Sequence, residues 1–120
     1  MNASLYDRLG QRDGIERIVR DAVNAHLNNP IVKTRYENTD DLEHAIKMSI
    51  DFFCAGSGGP QEYHGRDMLE THKGMNVSEQ EFIEVVDDIL GALKKNNVKE
   101  AEQQEVLAIL YSLKGQIIRV

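Results

Sequence analysis

Residues 58–75 read GGPQEYHGRDMLETHKGM and join a loop rich in helix breakers to a short segment with an isolated histidine. Met68 lies four residues before His72, so the two side chains share one face of a helix. Imidazole is a common metal ligand, and a haem iron needs only one strong axial nitrogen from the protein. A thioether beside it suits a flat, apolar cofactor. A lone histidine of this kind is more often a partly exposed surface residue, so the hypothesis needs support from the rest of the chain.

That support comes from a resemblance to a known family. The pattern G-G-P-x-x-Y-x-G-R-x-M-x-x-x-H at residues 58–72, with SLYDRLG at residues 4–10, resembles the truncated haemoglobins of group I. The likeness covers nearly the whole chain and also includes Asn29, Pro30, the Phe52 and Phe53 pair, the Ser78-x-x-x-Phe82 helix start, and Ile15, Ile18, Val19 and Leu27. It implies an all-α fold, a truncated globin-like two-over-two helical sandwich around a haem. It also implies that His72 is the proximal iron ligand.

The resemblance further implies which side chains surround the cofactor, haem b. Tyr36 stands at the family's usual aromatic position against the haem edge, with Phe52 and Phe53 packing below it. Tyr63, Arg66 or both reach a propionate, Arg66 through a charge-assisted pair. The expected cofactor-binding residues are Tyr36, Met48, Ser49, Phe52, Phe53, Tyr63, Arg66, Met68, His72, Val77 and Phe82.

On the distal side the chain departs from the family pattern. The family commonly has a tyrosine on the second helix that donates a hydrogen bond to bound oxygen, helped by a glutamine on the third helix. An ungapped comparison of the second helix places Val23 at the tyrosine position and Ala22 at the phenylalanine beside it. Because valine cannot donate, we expect fast oxygen release or a different ligand.

The register of the third helix over the iron has two alternatives. Anchoring on Gly58-Gly59-Pro60 places Ala45, Met48 and Ser49 over the iron. Anchoring on Tyr36 and the following loop moves the register by one residue and brings His44 there. His44 or Met48 is therefore a candidate distal iron ligand, since His/His and His/Met ligation both occur in haem proteins. The competing interpretation leaves His44 as a solvated residue at a helix start.

Length and composition favour one domain spanning residues 1–120. The formal net charge of −6 argues against a nucleic-acid partner, and no apolar run approaches the length of a membrane helix. Met1-Asn2-Ala3 lacks the basic and apolar regions of a signal peptide, so we expect a cytoplasmic protein. We further expect it to be a monomer or weak dimer. Cys54 is expected to be a buried small hydrophobe.

The remaining patterns are helical. A capping box at Ser4 predicts a short helix over residues 4–9, and apolar spacing predicts a second helix from Ile15 to Leu27, with His26 on its apolar face. Residues 31–39 are expected to be irregular, after which Thr39 or Asp40 caps a third helix that ends near residue 55. A capping box at residues 78–81 opens the next helix, which ends at residues 96–97 with two lysines near its C-terminus. The last helix is expected over residues 99–118, with its apolar face formed by Val106, Ile109, Leu110, Leu113 and Ile117.

Two functional hypotheses follow. The first is a haem protein that binds oxygen, carbon monoxide or nitric oxide, for oxygen binding or transport, or for detoxification of nitric oxide or reactive oxygen. An enzymatic role such as nitric oxide dioxygenation or peroxide chemistry would need a reductase partner. The second is a haem-free phosphotransfer or signalling module that uses an exposed histidine near Lys73-Gly74. Its weakness is that His72, Lys73 and Gly74 are consecutive, whereas such domains leave residues between the histidine and the Lys-Gly pair.

Overall fold

A computed structural model describes residues 3–60 and 62–120, and this part of the chain is helical. The all-α prediction is confirmed. In chain order the helices are α1 (Leu5–Arg8), α2 (Gln11–Leu27), α3 (Lys33–Glu37), α4 (Leu42–Gly56), α5 (Met68–His72), α6 (Glu79–Lys95) and α7 (Glu100–Ser112), followed by a 3-10 turn at Lys114–Gln116. Pairing of β type is limited, in the described residues, to an isolated parallel bridge between Val77 and Ile118.

The helix α2 is the centre of the fold. It packs against α4 on one side and α6 on the other, and α6 packs against α7. The two layers are therefore α2 with α4 and α6 with α7. Their shared core contains Ile15, Ile50, Cys54 and Leu93, each at most 2% exposed. The burial of Cys54 is as predicted.

Side-chain caps fix where most helices begin. Ser4 accepts from the Asp7 N–H, and Ser78 and Glu81 form the predicted capping box with both hydrogen bonds present. The prediction of Thr39 or Asp40 as the cap of α4 is wrong, because the Asp41 carboxylate accepts from the His44 N–H instead. Gly10, between α1 and α2, has a φ of 93°, which other residues rarely adopt.

Two further predictions are corrected. Residues 31–39 are not wholly irregular, since Lys33–Glu37 form α3; its start has no side-chain cap hydrogen bond, so the sequence carries no signature for it. The last helix is shorter than expected and ends at Ser112 rather than near Ile118, and of its predicted apolar face only Val106 is buried. Ile118 leaves the helix because it pairs with Val77, a contact between residues far apart in sequence.

Across the described residues, every helix is too short or too polar to cross a membrane. The expectation that the chain lacks a signal peptide concerns Met1 and Asn2, which lie outside the described residues, as does Gln61 of the central motif.

Candidate functional site

The helices α4 and α6 are separated from each other in the fold. α4 and α6 both contact α2 but make no extensive contact with each other, and α5 packs mainly against the turn at residues 114–116. We infer from this separation that a slot lies between α4 on one wall and the α5 and α6 segments on the other. None of residues 58–75 belongs to the main core cluster as far as the structure describes them.

The wall formed by α4 has two stripes of different burial. Ile46, Ile50 and Cys54 recur every four residues and are buried against α2. The adjoining stripe is only half-buried and is apolar except for one hydroxyl; it comprises Leu42, Ala45, Ser49, Phe52 and Phe53, of which Leu42 and Phe53 also pack against the core cluster. A half-buried apolar stripe beside a buried one is expected where a helix faces a slot rather than bulk water.

The loop before α5 is shaped by one aromatic contact. The Tyr63 ring meets the Phe52 ring edge-on with centroids 5.3 Å apart, and the Tyr63 hydroxyl donates to the Arg66 carbonyl. Burial raises the pKa of Tyr63. A Cβ at Gly65 would overlap the Tyr63 ring and hydroxyl, so a larger residue there would require the Tyr63 side chain to move. Asp67 then caps α5 by accepting from the Glu70 N–H.

The geometry of His72 fixes its tautomer. Its Nδ1 lies 2.8 Å from the carbonyl oxygen of Met68, and since a carbonyl can only accept, Nδ1 carries the proton. Nε2 then has a free lone pair, and it has no hydrogen-bond partner among residues 3–60 and 62–120. A half-buried imidazole oriented through one nitrogen, with the other left free, has the donor arrangement of a metal ligand.

The structure places the other predicted site residues as follows. Val77 and Phe82 are buried at the start of α6, and Arg66 is exposed. His44 is also exposed and lies on an outer groove beside Arg12 and Glu16. The half-buried members of the predicted set are Tyr36, Met48, Ser49, Phe52, Phe53, Tyr63, Met68 and His72.

Two other concavities do not suit a porphyrin. A cavity of about 20 Å³ between α1, the end of α4 and α7 is apolar but far too small. The outer groove between α2 and α4 encloses about 460 Å³, but its walls carry charged side chains. Its arginines are already paired, Arg12 with Glu16 and Arg20 with both Glu16 and Glu43.

A buried polar cluster adjoins the slot. His26 is 4% exposed; its Nδ1 lies 2.8 Å from the Asp88 carboxylate, and its ring stacks on Tyr36 with centroids 4.6 Å apart. The Asn29 amide donates to both Asp88 and Glu84. His26 is therefore a satisfied buried residue, as its position on an apolar face indicated. Burial raises the pKa of the Tyr36 phenol to about 12.

Sequence reasoning missed Asp88. One local signal was present: Asp88 lies three residues after Val85 and four before Ala92, at the edge of the inward face of α6. Arg35 was also missed, and it had no local signal. Its guanidinium binds Glu81, 46 residues away, at 2.7 Å and 3.1 Å.

The buried imidazole predicts a pH dependence of stability. Burial lowers the pKa of His26 below its ordinary 6.5, although the hydrogen bond that His26 donates to the Asp88 carboxylate opposes the shift. The unfolded chain then binds more protons than the folded one below about pH 6.5, so the unfolding free energy should fall as the pH drops from there. Urea unfolding followed by circular dichroism between pH 5 and 8 measures this. His26→Gln keeps a donor for Asp88 without a titrating group and should flatten the profile; an unchanged slope in the variant would assign the effect to other groups.

Helices in two layers, the half-buried apolar face of α4 and a histidine with an unpartnered Nε2 are features expected of a globin-type helical protein. A sequence model of the family described as "bacterial-like globin" matches residues 4–119. A group 1 truncated hemoglobin from Tetrahymena pyriformis is 30% identical over 107 residues, covering 89% of this chain and 88% of the relative. One from Mycolicibacterium paratuberculosis is 26% identical, covering 96% and 84%. A crystal structure of the Tetrahymena pyriformis truncated hemoglobin in the Fe(III) form superposes with a TM-score of 0.93 at 27% identity, covering 98% of this chain and 100% of that one.

The chain belongs to the bacterial-like globin family. The two-over-two globin fold predicted from the motif is confirmed by the superposition. As a member of this family, the chain is a haem protein that binds gas ligands. The family match favours this hypothesis over the haem-free phosphotransfer module.

Proposed function

We propose that this chain binds and rapidly releases oxygen at haem b, with the Nε2 atom of His72 as the proximal ligand. The observation that supports this most directly is the hydrogen bond from His72 Nδ1 to the Met68 carbonyl, which leaves Nε2 free and oriented. When bound, the haem iron supplies the redox and gas-binding chemistry. The protein supplies the slot and the axial base.

The slot fits a flat apolar group. Phe52 and Ser49 on α4 form one wall, and Met68 shares a face of α5 with His72 on the other. All four side chains are half-buried, which is the exposure expected of residues whose remaining surface is covered by a cofactor. Phe82 and Val77 are buried at the start of α6, and we assign them to the end of the slot.

The edge of the slot suits the two carboxylates of a haem. Arg66 is exposed and has no ion pair among the described residues, so its guanidinium is available to a propionate. Tyr63 is less suited, because its hydroxyl already donates to the Arg66 carbonyl. We therefore assign the propionate contact to Arg66 and a packing role to Tyr63.

The distal wall offers few hydrogen-bond donors. Val23 is buried and cannot donate, and the burial of α4 supports the register that places Ala45 and Ser49 toward the slot. Ser49 is then the nearest polar side chain, with a single hydroxyl. His44 lies on the solvent side of α4, which favours Met48 over His44 as any distal iron ligand. A wall of this kind supports fast release more than retention or oxidative chemistry of the gas ligand.

Absorption spectroscopy tests the proposal. The purified protein with stoichiometric haem should give a strong Soret band in the ferric and dithionite-reduced forms, and a shifted one under carbon monoxide. His44→Ala should leave all three spectra unchanged. A six-coordinate ferrous spectrum that disappears in Met48→Leu would identify Met48 as the distal ligand. Correctly folded protein that binds no stoichiometric haem would overturn the proposal.

The distal assignment makes a kinetic prediction. Placing a donor at position 23, as Val23→Tyr, should slow oxygen dissociation about tenfold, because one hydrogen bond in a buried site contributes about 1 kcal/mol or more. Stopped-flow displacement of oxygen by carbon monoxide measures the rate. Val23→Phe is the matched control, since it adds the ring without the hydroxyl. If both variants slow release equally, the effect is steric and Val23 does not face the gas ligand.

A further inference from the structure

The helix that carries His72 is short, and the segment after it is held by residues distant in sequence. α5 has five residues, and Gly74 follows with a φ of 86°. The Gly74 N–H donates to the Val120 carbonyl at 3.1 Å, and the Arg119 N–H donates to the Val77 carbonyl at 2.9 Å. Residues 117–120 therefore run beside residues 74–77 as a strap.

One side-chain hydrogen bond completes the strap. The Arg119 guanidinium donates to the Asn76 side-chain oxygen at 3.0 Å. Both residues have left-handed backbones, with φ of 53° at Asn76 and 55° at Arg119. A left-handed conformation costs a non-glycine residue on the order of 1 kcal/mol or more and persists where surrounding contacts enforce it. The two strained residues face each other across the contact that holds them.

A second contact holds the same segment from the opposite side. Arg35 on α3 donates to the Met75 carbonyl at 2.9 Å while its other nitrogens bind Glu81. The Met75 N–H in turn donates to the carbonyl of His72 at 3.0 Å. The peptide that follows His72 is thus linked through Met75 to α3 and to the start of α6.

We propose that Arg35, Asn76 and Arg119 are positioning residues that clamp residues 74–77 and so set the orientation of the His72 imidazole toward the haem iron. The proposal rests on the assignment of His72 as proximal ligand. Asp67 fixes the start of α5 through its cap, whereas His72 is at the end. α5 itself has little other packing, so the clamp is the contact that limits rotation of the His72 end of the helix. Loosening the clamp lets the imidazole tilt, which weakens the axial bond.

The test separates the clamp from ordinary stability. Asn76→Gly removes the bond to Arg119 yet accepts the left-handed backbone, and Asn76→Asp keeps an acceptor at the same place. Arg35→Lys keeps the charge but cannot bind Glu81 and Met75 in the same forked geometry. Arg17→Ala, an exposed arginine on α2 without a hydrogen bond or ion pair among the described residues, is the control.

Three measurements are made on the haem-loaded protein: amide exchange at Gly74 and Arg119, the iron–histidine stretching band of the reduced form, and the rate of haem loss. Asn76→Gly loses a hydrogen bond to a neutral acceptor and should speed both amide exchange and haem loss about threefold. Arg35→Lys loses a charge-assisted hydrogen bond and should speed haem loss about tenfold. Both should shift the stretching band. Asn76→Asp and Arg17→Ala should match the wild type.

Two results would overturn the clamp. Faster amide exchange with an unchanged stretching band would show that the strap is structural only. Unchanged exchange in Asn76→Gly would show that the side-chain bond does not hold the segment. An iron–histidine band absent from both the wild type and Met48→Leu would instead overturn the assignment of His72, and the clamp with it.

Discussion

Replacing His72 with glycine is expected to remove the axial bond to iron and to speed haem loss by a factor on the order of 100 or more. This exceeds the 10–100-fold usual for changes to residues that only orient a ligand. The imidazole has no other hydrogen-bond partner than the Met68 carbonyl in the described residues, so its removal leaves the rest of the wall in place. Transfer of haem to an excess of an apo-globin acceptor measures the rate.

Added imidazole provides the decisive control for His72→Gly. The glycine leaves a space of the shape of the lost ring, so free imidazole should restore the Soret band and the iron–imidazole band. His64→Ala is the matched variant, since His64 lies in the same motif but its side chain is 82% exposed. A His72→Gly protein that keeps the wild-type spectrum without imidazole would show that another residue holds the iron.

Gly14→Ala should lower the stability of the protein strongly. A Cβ at Gly14 would overlap the backbone carbonyl of Leu9, which cannot move aside as a flexible side chain can. α1 and the start of α2 would have to separate, and we expect a loss of about 2–3 kcal/mol in unfolding free energy. Urea unfolding of the haem-free and haem-loaded protein measures it.

Gly91→Ala is the matched control for that prediction. Gly91 lies inside α6, is exposed and has no atom within 4 Å of its would-be Cβ. Alanine there should stabilise the protein by about 0.5–1 kcal/mol, because glycine in a helix interior costs that much in backbone entropy. The same chemical change thus acts with opposite sign at the two positions. Equal effects would mean that the contact of Gly14 with Leu9 does not decide the outcome.

Much of the fold could be predicted because its signals are local. The capping box of Ser78 and Glu81, the burial of Cys54 and the apolar face that includes His26 all depend on spacings of four residues or fewer. The strap could not be predicted in this way. Its pairing of Val77 with Ile118 joins segments 41 positions apart, and nothing local to Arg119 shows that it takes a left-handed backbone.

The candidate site also has features that local sequence predicts and features that depend on tertiary packing. The motif of residues 58–75 predicted His72 as an iron ligand, and the structure adds an Nε2 atom without a hydrogen-bond partner in the described residues, which supports the proposal. The spacing left two registers open, one with Ala45, Met48 and Ser49 over the iron and one with His44, because a one-residue shift rotates a helix by about 100°. The outer position of His44 depends on how α4 packs against α2, which spacing alone does not fix.

The separation of the core cluster from residues 58–75 has a consequence for the order of assembly. The cluster draws on α1, α2, α4, α6 and α7, and it is complete without the motif loop or α5. We therefore expect the chain to fold first and to acquire its cofactor afterwards. Maturation would then be limited by delivery of the porphyrin rather than by folding of the polypeptide.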